Sequence, residues 1–414
     1  MSISHPAVSA GPGGVDDAAD RASAPVGETT TPAAPLATID LSAIAHNVRL
    51  LRRYAGDTPL MAVVKADAYN HGAVPVARTA LTAGARELGV TTIDEALELR
   101  AAGIDAPILT WLHAPGTDFA AAIAADIEIA VSSREQLAAV VAAAGALGRT
   151  ATVAVKIDSG LSRNGVPVDE WAPVADALAA AVGAAAVTFR SIFTHLAHAD
   201  DPHHPVIDSQ RQRFDDAIAV FTERGVAPAV RHISNTAATM TRPDLRYDLV
   251  RPGIAIYGLS PLPPGIPASP IDGPTDLRPA MTLSAPVSLV KEIAAGEGVS
   301  YGHMWTAPTR TRVALIPLGY ADGVVRALGG RLEVAINGRR YPGIGRICMD
   351  QFVVHLGPTD TEVRAGDTAV LFGAGIDGGP TAAEWAGLLD TIHYEVITGV
   401  RGRVERRYRE DAGL

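Results

Sequence analysis

Pro59-Leu60-Met61-Ala62-Val63-Val64-Lys65 is an apolar run of strand length that ends on a lysine. Seven more runs of this kind follow: Leu88 to Thr92, Pro107 to Leu112, Ile127 to Ser132, Thr152 to Asp158, Ser191 to Leu196, Val230 to Asn235 and Leu249 to Gly258. Alanine-rich stretches of helical length separate them. Ile93 to Ala102 and Ser133 to Gly148 space their apolar residues for a helix packed on a sheet, with Glu95, Glu98 and Arg100 left to face solvent. Strands that alternate with helices predict a parallel sheet with crossover connections, and eight repeats predict a (β/α)8 barrel of the α/β class. The active site of such a barrel gathers at the C-terminal strand ends, where Lys65, Lys156, His195, Asn235 and Arg251 fall.

After about Pro279 the pattern changes. Met281 to Ile293, Gly298 to Trp305, Arg312 to Gly319, Arg331 to Ile336, Gln351 to Leu356 and Thr368 to Phe372 are β-type runs without regular helices between them, apart from one late helix at Thr381 to Leu389. The expected organisation is a barrel over residues 36–275 and a mainly β domain over 276–414, joined through the Pro- and Gly-dense loop Ser260 to Arg278. Residues 1–35, rich in Ala, Gly, Pro, Ser and Thr without apolar periodicity, are expected to be a disordered extension. They lack the apolar core of a secretory signal, and Asp16, Asp17 and Asp20 disfavour a transit peptide.

Composition narrows the function classes. A chain of 414 residues with 48% hydrophobic content supports two domains, and its net charge of −10 offers no basic footprint for nucleic acid or anionic membrane. No stretch approaches the roughly 18 uninterrupted apolar residues of a spanning helix. A single cysteine, Cys348, leaves no intrachain disulfide and no cysteine-rich metal site, in keeping with a cytoplasmic protein that handles small molecules.

Of 35 basic residues only Lys65, Lys156 and Lys291 are lysines, and two of these close strand-like runs. Arginine does not deprotonate in a protein, whereas lysine can present a neutral amine that attacks a carbonyl and forms a Schiff base. Read in isolation, a lysine at a strand end more often just snorkels its ammonium to solvent.

The residues around Lys65 carry a resemblance. Ala62-Val63-Val64-Lys65-Ala66-Asp67-Ala68-Tyr69-Asn70-His71-Gly72 is similar to the cofactor-lysine motif of alanine racemases. Counterparts follow in family order: Lys156-Ile157-Asp158-Ser159-Gly160-Leu161-Ser162-Arg163-Asn164-Gly165, Thr194-His195-Leu196, Ser234-Asn235-Thr236-Ala237-Ala238 and Val250-Arg251-Pro252-Gly253-Ile254. The β region adds Val299-Ser300-Tyr301-Gly302 and Gly345-Arg346-Ile347-Cys348-Met349-Asp350. Seven segments in order resemble the family over roughly residues 36 to 410.

The resemblance implies that Lys65 holds pyridoxal 5′-phosphate and acts as one base, with Tyr301 as the second base on the opposite face of the substrate Cα. In the family that tyrosine reaches the neighbouring subunit, which implies a homodimer with shared active sites. Arg251 is implied as the partner of the cofactor's ring nitrogen, with His195 and Asn235 near the ring. Tyr69, Thr236, Gly253, Ile254 and Tyr394 are implied as phosphate-binding residues, Thr236 standing where serine is common. Asn70 replaces a common glycine and is expected to keep a left-handed turn. Arg163 and Met349 are implied to meet the substrate, Tyr320 to line the entrance and Lys156 to be carbamylated. The implied reaction interconverts L- and D-alanine, supplying D-alanine for peptidoglycan.

Other readings of the same residues remain. A broad-specificity or serine racemase shares every motif, because one methylene discriminates only modestly. Barrel-type pyridoxal decarboxylases place an acidic residue where Arg251 stands, and small pyridoxal-binding proteins lack a second domain. The cluster His195, His198, His203, His204, Asp200 and Asp201 invites a metal reading, but Pro202 and Pro205 point to an exposed loop, and no metal is expected.

Overall fold

A computed structural model describes residues 34–410, so the expected N-terminal extension lies almost wholly outside the described residues. The strands are β1 (Leu36–Asp40), β2 (Met61–Val63), β3 (Glu87–Val90), β4 (Ile108–Thr110), β5 (Glu128–Val131), β6 (Ala151–Lys156), β7 (Val187–Phe193), β8 (Val230–His232), β9 (Met281–Pro286), β10 (Leu289–Ile293), β11 (Gly298–Val299), β12 (Trp305–Thr306), β13 (Thr311–Ile316), β14 (Glu333–Ile336), β15 (Arg339–Ile344), β16 (Phe352–Gly357), β17 (Thr368–Phe372) and β18 (Glu405–Arg409).

Strands β2 to β8 form one curled parallel sheet in sequence order. From β2 to β6 the side chains are buried on both faces, which is why these stretches read as continuous apolar runs and not as alternation; β7 and β8 expose Thr188 and Arg231. Several crossover helices carry the side-chain caps their sequences offer. Ser133 accepts from the Gln136 amide at 3.3 Å to start Arg134–Leu147, and Gly148 ends that helix at φ +62°.

The eighth expected strand, Leu249 to Gly258, is not a strand over its length. Val250 makes a single parallel bridge with Leu60, after which Pro252 removes a donor and Gly253 turns the chain into the 3-10 helix Ile254–Tyr257. This short piece still bonds both edges of the sheet. Met61 N donates to Val250 O at 2.8 Å on one side, and Arg251 N donates to Ser234 O at 2.9 Å on the other.

The second sheet runs β10-β13-β16-β15-β14-β17-β9-β1-β18. It contains β1, which precedes the barrel in sequence yet pairs antiparallel with β9 and parallel with β18. Two expected runs are broken. Met281 to Ile293 is split into β9 and β10 after Pro286. Gly298 to Trp305 is a tight hairpin in which Ser300 (φ +63°) and Gly302 (φ +72°) turn the chain around Tyr301. The late helix is Ala382–Leu389, with Thr381 accepting from Glu384 N at 3.2 Å as its N-cap.

Candidate active site

Lys65 follows β2 and opens a turn of unusual hand. Ala66, Asp67, Ala68 and Tyr69 have φ between +51° and +53°, and Asn70 has φ +66°, so five consecutive non-glycine residues are left-handed. Such backbone costs roughly 1–2 kcal/mol per residue for L-amino acids, so the surroundings must hold it. Four clamps do so. Ala66 N donates to Glu95 Oε1 at 2.7 Å, and Ala73 N donates to Asp67 Oδ1 at 2.7 Å. Arg406 pairs with Asp67, and Asn70 Nδ2 donates to Ile397 O at 3.4 Å and to Val400 O. Glu95, expected to face solvent, is turned toward the Lys65 turn instead. Asn70 adopts the left-handed conformation expected of it.

The turn borders a cavity of about 540 Å³ at the C-terminal ends of the strands, which Lys65, Lys156, His195, Asn235 and Arg251 all line. Tyr69, Arg163, Thr236, Gly253, Ile254 and Tyr394 join them. Burial lowers the Lys65 pKa; Arg163 pushes it further down and Glu95 opposes. Lys156, 5% exposed, is brought down to about 7 by burial and then by Arg163, Arg251 and Lys65. Burial first, then Arg251 and Arg163, holds His195 far below the usual imidazole range, so it is neutral.

Arg251 is buried and donates to His232 Nδ1 at 2.9 Å and to the carbonyls of Thr194 at 2.7 Å and Ile233 at 3.3 Å. Because a guanidinium only donates, His232 Nδ1 is an acceptor and its proton sits on Nε2, an assignment made from the partner. Burial keeps this imidazole neutral as well. Phe193 stacks on His232 with ring centroids 4.9 Å apart and lies 5.3 Å from the Arg251 guanidinium and 5.7 Å from Lys156 Nζ. Sequence reading missed His232 and Phe193. Each lies inside one of the strand-like runs, where nothing distinguishes it from a core residue.

Another part of the cavity lining suits an anion. Thr236 Oγ1 accepts from Gly253 N at 2.8 Å, and a Cβ on Gly253 would fall 2.4 Å from Tyr69 Oη, so only glycine leaves that space. The Tyr69 and Tyr394 rings are 6.1 Å apart. Burial raises both phenols, Tyr394 to about 12, so they present O–H donors. The lining thus combines two depressed amines with hydroxyl and amide donors of the kind that hold an anion.

Tyr301, Tyr320 and Met349 do not line this cavity. They are exposed, at 70%, 36% and 53%, on loops of the second sheet. Those loops are tied together. Ser300 Oγ donates to Arg346 O at 2.7 Å, Tyr320 N to Cys348 O at 3.1 Å and Ala321 N to Met349 O at 3.0 Å. Arg403 joins the fully buried Asp322 at 2.7 Å to Asp350 at 2.8 Å beneath them. Among the described residues, no three His, Cys, Asp or Glu side chains are placed to hold a metal ion. His198 and His204 instead stack at 3.9 Å, with His204 capping the helix Pro205–Glu223. No helix of the described residues is long and apolar enough to cross a membrane.

Depressed amines at a barrel mouth, in one cavity with an anion cradle, point to an enzyme of the amine-carbonyl class. Comparison with known proteins narrows it. Residues 39–261 match the model of the alanine racemase N-terminal domain, and residues 280–408 match that of the alanine racemase C-terminal domain. The chain is 58% identical over 385 residues to alanine racemase of Mycolicibacterium smegmatis, covering 92% of this chain and 97% of that one. It is 58% identical over 374 residues to the enzyme of Mycobacterium tuberculosis, covering 90% and 96%. Alanine racemase from D-cycloserine-producing Streptomyces lavendulae superposes with a TM-score of 0.87 at 47% identity, covering 92% and 98%. That of Bacillus anthracis with bound L-Ala-P gives 0.82 at 35%, covering 92% and 96%. The chain belongs to the alanine racemase family.

Proposed function

We propose that this chain interconverts L- and D-alanine with pyridoxal 5′-phosphate, using Lys65 and the partner subunit's Tyr301 on opposite faces of the substrate Cα. The observation that carries the reading is the convergence of Lys65, Arg251 and the Tyr69–Gly253 cradle on one cavity in a chain of this family. When bound there, the cofactor supplies an electron sink that acidifies the α-hydrogen of alanine.

The remaining work falls to side chains. Lys65 Nζ, its proton affinity lowered by burial, takes or returns a proton on one face of Cα. Tyr301 Oη does the same on the other. Arg251 would meet the ring nitrogen as a hydrogen-bond donor that does not surrender its proton, which would make the group a moderate electron sink. Tyr69, Thr236 and Tyr394 hydroxyls, with the Gly253 and Ile254 backbone, would hold the phosphate, and His195 and Asn235, which line the same cavity, would stand near the ring. Arg163 and the Met349 amide receive the substrate carboxylate, and Tyr320 narrows the entrance.

The exposure of Tyr301, Tyr320 and Met349 on tied loops, away from the chain's own cavity, supports delivery of this face to a second copy in a homodimer. Lys156 supports carbamylation. Its amine, with a pKa near 7 beside Arg163 and Arg251, is largely neutral above that pH and able to take up carbon dioxide, which replaces a like-charge cluster with an ion pair. The reading includes a cytoplasmic location and use of the D-alanine in peptidoglycan. Solvent deuterium incorporation at Cα of L-alanine, followed by chiral analysis, tests it. Exchange with racemisation in the wild type, lost in Lys65→Ala and in Tyr301→Phe, is the expected outcome; no exchange with alanine in the wild type would refute the reading.

A further inference from the structure

The Glu95 carboxylate does more than cap a helix. In an ordinary capping box the glutamate only reaches back to the N–H of its own cap residue. Thr92 and Glu95 make such a box, with Thr92 N donating to Oε2 at 3.1 Å and Thr92 Oγ1 accepting from Glu95 N at 3.3 Å. The same carboxylate also takes Thr91 N at 2.7 Å and, 29 residues away in sequence, Ala66 N at 2.7 Å. One side chain therefore ties the end of β3 to the residue that follows Lys65. Ala66 is the first left-handed residue of the turn, so its N–H direction fixes how Lys65 leaves β2.

Charge points the same way. The cavity faces Lys65 with Arg163, Lys156 and Arg251, and with a neutral His195. Asp158 acts on Lys156, Asp200 acts on Tyr394, and Asp67 is taken by Arg406. Glu95 is the carboxylate that acts on the Lys65 amine and favours its ammonium form.

We propose that Glu95 is a positioning residue for Lys65, fixing the direction of the amine through Ala66 N and balancing the positive field around it. The proposal rests on the reading of Lys65 as the cofactor lysine. It is distinct from helix capping, which Thr92 Oγ1 serves without touching Ala66.

The test uses apoprotein and pyridoxal 5′-phosphate, following attachment by visible absorbance from acid to alkaline pH, with borohydride trapping and peptide mass spectrometry to locate the label. Glu95→Gln removes the charge. The amine then loses its stabilising anion, and the midpoint of the pH–rate curve moves to lower pH by about 0.5 unit or more. Glu95→Asp keeps charge and cap but falls a methylene short of Ala66, and attachment slows several-fold at every pH. Thr92→Ala weakens the cap alone and leaves the midpoint where it is in the wild type. Label on Lys65 with wild-type curves in both Glu95 variants would overturn the proposal. A midpoint moved equally by Thr92→Ala would also overturn it, by reducing Glu95 to a helix cap. Label absent from Lys65 in the wild type would remove the proposed function and this inference together.

Discussion

Gly253→Ala is the sharpest probe of the anion cradle. Gly253 has φ −125° and so is not left-handed, and what an added Cβ meets first is a lack of space. The new Cβ would lie 2.4 Å from Tyr69 Oη, 3.1 Å from Tyr69 Cζ and 3.6 Å from Val63 Cβ. Ordinary contact begins near 3.5 Å, so the tyrosine must retreat by about 1 Å. Retreat away from the cavity is blocked, because the Tyr257 ring stands 4.6 Å from it and is itself fixed by a 2.9 Å bond from its hydroxyl to Val63 O, so the ring is pushed into the space the cofactor needs. Overpacking of this kind costs about 1–3 kcal/mol. If the whole cost falls on cofactor binding, affinity drops roughly 5- to 150-fold, which equilibrium titration of apoprotein with pyridoxal 5′-phosphate measures. Adding Tyr69→Phe removes the clashing oxygen, so the double variant recovers most of the melting temperature that Gly253→Ala loses. Wild-type cofactor affinity and melting in Gly253→Ala would refute the cradle.

Three further outcomes follow from the structure. Arg190 bridges Glu87 and Glu128 at the N-terminal end of the barrel strands, with Ser191 Oγ donating to Glu128 at 2.5 Å. Arg190→Leu leaves buried carboxylates without their cation and costs about 3–5 kcal/mol in urea unfolding at neutral pH. Burial already raises the Glu128 pKa against the pull of Arg190, and losing that pull raises it further. The variant's folded state therefore binds the proton more tightly, and its deficit shrinks as pH falls; a deficit independent of pH would contradict this assignment. Asn70→Gly keeps the left-handed turn but loses the bonds to Ile397 and Val400, while Asn70→Ala loses both backbone tolerance and bonds, so thermal melting should rank wild type above Gly and Gly above Ala. Carbon-13 NMR in labelled bicarbonate should show a carbamate on Lys156 that grows as pH rises through about 7; an unlabelled Lys156 at pH 8 would exclude it.

The barrel was legible because most of its strands are buried on both faces, so apolar runs and regular spacing report the same element. The second sheet was legible only in part. β18 is Glu-Arg-Arg-Tyr-Arg, exposed along its length and held to β1 by backbone pairing, so no apolar alternation announces it. β15 carries Pro342 and Gly343, which read as turn residues. Seven local motifs disclosed Lys65, Arg251 and the cradle. The supports beneath them, His232 under Arg251 and Glu95 beside Ala66, are long-range contacts made by residues that look like a core histidine and an ordinary helix cap. Tyr301 shows the opposite case: sequence names it, while a single chain leaves it exposed and away from the cavity.

That separation makes subunit complementation the most direct test of two bases shared across a dimer. Lys65→Ala and Tyr301→Phe chains, each inactive alone, are co-expressed in equal amounts and assayed for alanine racemisation. In a hybrid dimer one site carries both lesions and the other carries neither, so about a quarter of wild-type specific activity should return. Activity no higher than that of either variant alone would contradict the shared, two-base site.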